Sequence, residues 1–455
     1  MVSSSSFGPA SVDCADLVVR TLGTSRVDSP LGELLGSRQQ SIHYVEESDR
    51  VLLDDTLSAA TARNRQTAEL PGFEPAGPRS KIYFDPSKTR AAIVTCGGLC
   101  PGLNDVIRGL TMELCRRYGV QRVYGFCNGY EGFVPRFRRP VLDLTPEVVS
   151  DINEHGGTIL GSSRGEQDPA IVVDCLERMG VNILFVIGGD GTIRGAMGLV
   201  KEITERGDRI SVVGIPKTID NDIMFIDQSF GFQTAFSEGV SSIRAAHVEA
   251  TGAPNGVGLV KLMGRHSGFI ACYAALAMSD ANFVLIPEVP FKLDGDNGLL
   301  AVLRRRLEKR GHAVIVVAEG AGQELMEAAS AASAGNATDA SGNKKLTDIG
   351  PWLRDQLTGH FKTIGVELNL KYIDPSYAIR SVPANPHDSV FCVRLAHNAV
   401  HAAMSGRTEM VVGRWHGRFV HVPMPLAIRQ RNNVDPHGDL WMSVLEATGQ
   451  PRAFG

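Results

Sequence analysis

The sequence predicts an α/β protein whose parallel strands are covered on both faces by helices. Short all-apolar runs alternate with amphipathic stretches of helical period, the pattern of buried parallel strands joined by crossover helices. Four apolar runs end in glycine-rich or polar loops: TCGGLCPGLND (95–105), LGSSRG (160–165), IGGDGT (187–192) and PKTIDND (216–222). In such sheets ligands sit at the carboxyl ends of the strands.

In chain order, residues 1–80 are polar and read as an N-terminal extension, partly helical around 46–66, with turn residues in PGFEPAGPRS (71–80). AAIVTCGG (91–98) is a buried strand, and VIRGLTMELCRRYG (106–119) is an amphipathic helix closed by Gly119. RVYGFCNGYEGF (122–133) is a strand with a turn, DPAIVVDCLERMG (168–180) a helix, and VNILFVIGGDGT (181–192) a strand entering a glycine turn. The helix RGAMGLVKEITERG (194–207) and the strand ISVVGIPKTIDND (210–222) follow. A second α/β run starts near Gly231, with GVGLVKLMGRHSG (256–268), ANFVLIPEV (281–289), the helix LLAVLRRRLEKRG (299–311) and HAVIVVAEGAG (312–322). Residues 326–345 are rich in Ala, Ser, Gly and Asn and read as a loop, with a helix resuming near Asp348. The expected division is an extension (1–80), two α/β domains (81–230 and 231–380) and a C-terminal segment (381–455) that returns to both.

Composition excludes several classes. The chain has 455 residues, 43% hydrophobic and 21% charged, with a formal net charge of −4. This is neither a disordered chain nor a strongly basic nucleic-acid binder. A near-neutral total still permits a local cationic pocket for an anionic substrate. The eight cysteines make no CxxC pair and are expected to be free thiols in a reducing compartment. No apolar run approaches the roughly 20 residues of a membrane span. The N-terminus lacks a charged-then-apolar leader pattern. The expectation is a cytoplasmic protein, a plastid or other organelle being the alternative.

The loops carry the chemistry. Glycine lets backbone amides approach an anion closely, and a following helix N-terminus adds its positive end. Four such loops at successive strand ends point to a phosphate site, although neither a Walker A sequence nor GxGxxG occurs. GGDGT sets a carboxylate, Asp190, among glycines. An acid beside a phosphate cradle needs a cation between them, and Mg²⁺ suits one carboxylate plus phosphate oxygens and water. The competing reading makes Asp190 the cap of a helix starting near Arg194. PKTIDND packs Lys217, Thr218, Asp220 and Asp222 together, which suits a general base and its partners with a cation for a transferring phosphoryl group; an Asx-rich turn is the alternative. MGRHSG (263–268) and YAIRS (377–381) each offer an arginine suited to phosphate. Glu319 either meets a sugar hydroxyl or merely ends its strand. No HExxH or GxSxG occurs, which removes support for zinc and hydrolase readings.

The ordered set TCGGLCPGLNDVIRG, GYEGF, GGTILGSSRG, IGGDGTIRGA, PKTIDNDI, LVKLMGRHSGFIA, ASGNKKLTDIG and KYIDPSYAIR resembles the 6-phosphofructokinase family over residues 80–450. It is most similar to the ATP-dependent branch of plants, algae and trypanosomatids, and the ending DLWMSVLEATGQP resembles the plant members. The resemblance implies two Rossmann-like three-layer domains with mainly parallel sheets, and phosphoryl transfer from Mg²⁺-bound ATP to O1 of fructose 6-phosphate, the committed step of glycolysis. It implies a cytoplasmic, allosteric homotetramer without nucleic-acid or membrane partners. On the donor side it implies Gly98 and Gly189 at the phosphates, Tyr130 near the adenine, Arg164 bridging the donor phosphates, Asp190 linked to Mg²⁺, and Gly191 and Thr192 lining the site. It implies Asp220 as the base that takes the proton of the 1-hydroxyl, with Lys217, Thr218, Asp222 and Arg265 as catalytic neighbours. Met263, Gly264 and Arg265 match the sugar-phosphate loop, Glu319 a sugar-hydroxyl ligand, and Tyr377 and Arg380 the 6-phosphate end.

Donor choice turns on two positions. Pyrophosphate-dependent members usually carry Asp where this chain has Gly191, and share Lys217; bacterial-type ATP enzymes carry Gly at both. A carboxylate at 191 would repel the nucleotide α-phosphate, so Gly191 predicts ATP. The alternatives are a pyrophosphate-dependent enzyme, a GGDGT kinase acting on NAD or a lipid, and a non-catalytic regulatory subunit. Two arginines that reach the 6-phosphate across a subunit boundary in bacterial relatives align with Gly256 and Lys371, leaving Lys261 or Lys371 as replacements. Arg108 aligns with an effector-site arginine, which does not by itself transfer bacterial regulation to this chain.

Overall fold

The structure, a computed structural model, describes residues 12–32, 44–61, 70–329 and 346–455. In chain order the strands are β1 (Arg20–Thr21), β2 (Val27–Asp28), β3 (Val51–Leu52), β4 (Gly72–Pro75), β5 (Lys81–Ile82), β6 (Arg90–Thr95), β7 (Arg122–Phe126), β8 (Val141–Asp143), β9 (Ile183–Gly188) and β10 (Ser211–Pro216). They continue with β11 (Gly256–Leu262), β12 (Phe283–Leu285), β13 (His312–Ala318), β14 (Asn369–Ile373), β15 (Arg407–Thr408), β16 (Met410–Trp415) and β17 (Arg418–Pro423).

Among the described residues, nine strands form the larger sheet in the order β3-β4-β17-β16-β10-β9-β6-β7-β8. Its centre, β16-β10-β9-β6-β7, is parallel, and the flanking pairs are antiparallel. Every residue of β9 and β10 is buried, because helices cover both faces. Successive side chains point to opposite faces. Ile93, Phe185 and Val213 therefore pack with the helices Leu103–Met112 and Pro386–Met404. Val94, Leu184 and Val212 pack with the helices Pro169–Met179 and Asp190–Arg206. The smaller sheet, β12-β13-β11-β14, is wholly parallel and is sandwiched in the same way. The architecture is thus the α/β, mainly parallel one that the sequence predicts.

The chain ends are woven into these layers. β16 and β17 lie within the larger sheet, whereas Trp441 and Val444 of the last helix, Asp439–Thr448, belong to the core of the smaller one. The N-terminal residues also join: β1 pairs with β15, β2 with β5, and β3-β4 extend the larger sheet.

Three local expectations are corrected. Residues 51–52 are strand, because Val51 and Leu53 turn inward beside Phe73, and helix is confined to 57–61 of the described part of 46–66. Within the stretch read as turns, Gly72–Pro75 is a sheet strand anchored by the fully buried Phe73. Gln323–Ala329 is helical, so the start of the 326–345 loop is not loop; the rest of it, 330–345, lies outside the described residues. The next helix begins at Ile349, capped by Asp348, whose carboxylate accepts from the amide of Gly350.

Candidate active site

The loops after β6, β9 and β10 converge on a cleft of about 630 Å³ at the carboxyl ends of the strands. Gly97 (φ +85°) is left-handed, and its amide donates to the carbonyl of Ser163, which joins the first two glycine loops. Lys217 closes the third side: its buried Nζ donates to the carbonyl of Gly98 at 2.8 Å. Burial lowers the Lys217 pKa from its ordinary value. Arg164 is exposed at the rim, with Nη2 facing Gly98. Tyr130 is 7% exposed and lies in the wall, its hydroxyl donating to the carbonyl of Thr192 at 2.9 Å.

Asp190 does not cap a later helix. The helix Asp190–Arg206 begins at Asp190 itself, with Gly189 as N-cap. An acid in the first turn suits the helix dipole. Burial raises the Asp190 pKa, and Arg431 opposes that rise. Gly188 must be glycine, since a Cβ there would collide with Thr192, whereas a Cβ on Gly191 meets nothing within 4 Å.

The acid loop is built around Asn221 (φ +58°). Its side-chain oxygen accepts from the amide of Ser229 at 2.7 Å and its amide donates to the carbonyl of Asp227 at 3.1 Å. The turn-making function thus falls on Asn221 and leaves the two aspartates to the cleft. The Thr218 hydroxyl donates to Asp222 at 2.5 Å. Asp220 Oδ2 accepts from the backbone amide of Arg265 at 3.2 Å. Asp220 Oδ1 is buried and has no hydrogen-bond partner among the described residues. Burial, then the charges of Asp222 and Glu319, push the Asp220 carboxyl up to about 7.

Beyond Arg265 stands a second group, outside the lining of the cleft. Met263 is fully buried and Arg380 Nε approaches its sulfur at 3.1 Å. Gly264 (φ +128°) accepts from the amide of Gly320 at 3.0 Å, and a Cβ on Gly320 would collide with the carbonyl of Arg265. Glu319 is thereby fixed beside the Arg265 loop. Its pKa is raised by burial, against the pull of Arg380, Lys261 and Arg265. Tyr377 is not brought in: its side chain is 82% exposed. One of the two replacement cations, Lys261, is also corrected. Lys261 is already held by Asp374 at 2.8 Å and Asp348 at 3.0 Å. Gly256 lies at the amino end of β11, where a Cβ would collide with the carbonyl of Ala250, so no arginine could stand there. Lys371 is exposed on the edge strand β14.

One site residue escaped the sequence. Arg431 bridges Asp222 at 2.6 Å and Asp190 at 3.1 Å from the cleft wall. It sits in the polar run RQRNN, where nothing distinguishes it from its neighbours.

The family model described as Phosphofructokinase matches residues 90–403. The chain belongs to the phosphofructokinase family. It is similar to the protein of Amycolatopsis methanolica named ATP-dependent 6-phosphofructokinase, 58% identical over 441 residues that cover 97% of this chain and 96% of that one. It is similar also to ATP-dependent 6-phosphofructokinase 7 of Arabidopsis thaliana, 49% identical over 383 residues, 84% of this chain and 78% of the other. The likeness to plant phosphofructokinases therefore belongs to a wider likeness that includes bacteria. The crystal structure of a pyrophosphate-dependent phosphofructokinase from Nitrosospira multiformis matches with a TM-score of 0.65 at 19% identity, covering 81% of this chain and 93% of that one. At that identity it speaks for the phosphofructokinase fold alone.

Proposed function

We propose that the chain transfers the γ-phosphoryl group of ATP to O1 of fructose 6-phosphate, giving fructose 1,6-bisphosphate and ADP. The observation that carries this reading is Asp220. It stands between the glycine loops and the Arg265 loop, with one oxygen tied to the Arg265 amide and the other buried without a partner. A buried, partnerless carboxylate oxygen in a cleft is suited to accept a proton from an incoming hydroxyl. The sugar oxygen attacks the γ-phosphorus, its proton passes to Asp220 Oδ1, and the bond to the leaving ADP oxygen breaks. Gly98, Gly189, Gly191 and Thr192 line the donor phosphates, Tyr130 backs the nucleotide, and Arg164 and Lys217 neutralise phosphoryl charge. Thr218 and Asp222 hold the acid loop. Met263, Gly264, Arg265, Glu319 and Arg380 form the sugar side, with Tyr377 at its exposed edge.

The donor set also fits Mg²⁺. Asp190 supplies one hard carboxylate facing the phosphate cradle, and no three-residue metal cluster occurs among the described residues. That is the arrangement for an ion held chiefly by phosphate oxygens and water. Bound there, Mg²⁺ would supply neutralisation of the donor phosphates.

The named relatives support ATP as donor, and the open space at Gly191 agrees with it. Lys217 favours a second reading, with pyrophosphate as donor. Assaying fructose 6-phosphate with each donor separately decides between them. Turnover with ATP is expected, and turnover with pyrophosphate alone would overturn the donor assignment. We also take the enzyme to be a homo-oligomer, a tetramer by family resemblance.

A further inference from the structure

Arg431 lies beyond residue 403, where the family match ends, yet it lines the cleft and contacts both Asp190 and Asp222. Its place is set by backbone. Arg431 bridges Ile223 in antiparallel fashion, and the amide of Asn432 donates to the carbonyl of Asp222 at 2.9 Å. Three residues on, the amide of Val434 donates to Glu288 at 2.8 Å, and the same carboxylate oxygen accepts from Gly268 at 2.9 Å. The segment is therefore pinned to the acid loop at one end and to the turn after β12 at the other. The Arg431 side chain is 34% exposed, and its guanidinium makes two ion pairs.

A guanidinium stays charged at every working pH, and its fork can bond two carboxylates at once. Nη1 holds Asp222 at the shorter distance and Nη2 holds Asp190 at the longer one. A bare divalent ion approaching Asp190 meets this resident cation and must displace it into solvent. An ion arriving on a polyphosphate meets the same cation but brings anionic oxygens, to which the displaced Nη2 can donate.

We propose that Arg431 is a positioning residue that reserves Asp190 for a divalent cation carried by the phosphoryl donor and disfavours the bare ion. The inference deepens the kinase reading of the cleft and rests on it for the role of the donor. It adds a selection step built from outside the family domain.

Calorimetric titration of Mn²⁺ into the nucleotide-free full chain tests it directly. Arg431→Ala is expected to bind bare Mn²⁺ about fivefold or more tightly than the parent. The same variant is expected to bind Mg²⁺ with a non-hydrolysable ATP analogue about fivefold or more weakly. Bare-ion affinity that is unchanged or weaker overturns the proposal, as does unchanged affinity for the analogue complex. If Arg431→Ala fails to melt cooperatively, Arg431→Gln keeps a long polar side chain and removes the charge. It should move both affinities in the same two directions, and no movement of either overturns the proposal. The bare-ion arm uses neither nucleotide nor sugar, so its failure is distinguishable from failure of the proposed phosphoryl transfer, which the two-donor assay reads.

Discussion

The backbone amide of Arg265 donates to Oδ2 of Asp220 across the two halves of the cleft. Asp220, the proposed base, is therefore registered against the Arg265 loop by main chain. Asp220→Asn keeps the shape and removes the base. It should lower kcat by about 10²–10⁴-fold with little change in the melting temperature.

The pH profile follows from the same residue. Its carboxyl is raised to about 7, and only the ionised form accepts a proton, so kcat/KM should fall as pH drops through about 7. Asp222 contributes to that rise as a like charge. Asp222→Asn should lower the Asp220 pKa and shift the acid limb to lower pH, even where the maximal rate suffers. A limb that stays in place or moves upward would refute the coupling.

At Gly191 a new side chain meets open space. Gly191→Asp should fold normally while setting a carboxylate among donor phosphates. Like charges about 4 Å apart repel by roughly 4 kcal/mol at an effective dielectric of 20, so the KM for ATP should rise by at least about tenfold. Initial rates at saturating fructose 6-phosphate measure it.

Lys261 belongs to the protein rather than to substrate phosphate, being shared by Asp348 and Asp374. Lys261→Met should lower thermal stability by about 1–3 kcal/mol, because the carboxylates lose their cation, and leave the KM for fructose 6-phosphate within about twofold. A large rise in that KM without loss of stability would return Lys261 to the substrate.

Phe73 of the N-terminal region, Phe225 of the acid loop and Trp415 of the C-terminal hairpin form an aromatic triad with centroids 5.6–6.1 Å apart. Phe225 is left-handed (φ +60°), a conformation that needs support from its surroundings. Phe73→Ala should cost about 3–5 kcal/mol of stability. It should also reduce kcat more than it changes either KM, since the loop carrying Asp220 loses a wall.

The cleft's core was readable because its parts are local. A glycine, lysine or aspartate within a few residues of a buried strand's end is a chain-neighbour pattern, and Gly98, Asp190, Lys217 and Asp220 all obey it. Arg431 obeys no such pattern: it is selected by a bridge to Ile223, a contact between distant parts of the chain. Tyr377 shows the opposite case, since its motif is present while its helix, Ser376–Ser381, leaves the side chain exposed. The hairpin β16-β17 left a usable signal, the two-residue turn His416-Gly417 with both φ positive between apolar runs. The N-terminal strands left little, because two-residue strands carry no period and are fixed by their distant partners.

The strand order of the larger sheet sets an order of assembly on the ribosome. β4 emerges early, but its neighbour β17 is among the last strands made, and β10 waits for β16 in the same way. All four strands of the smaller sheet lie between residues 256 and 373 and have emerged before either latecomer. The nascent chain must therefore hold one edge each of β4 and β10 unpaired until residues 410–423 have emerged, and a message truncated before residue 410 would yield a protein with an open sheet edge, prone to associate with other chains.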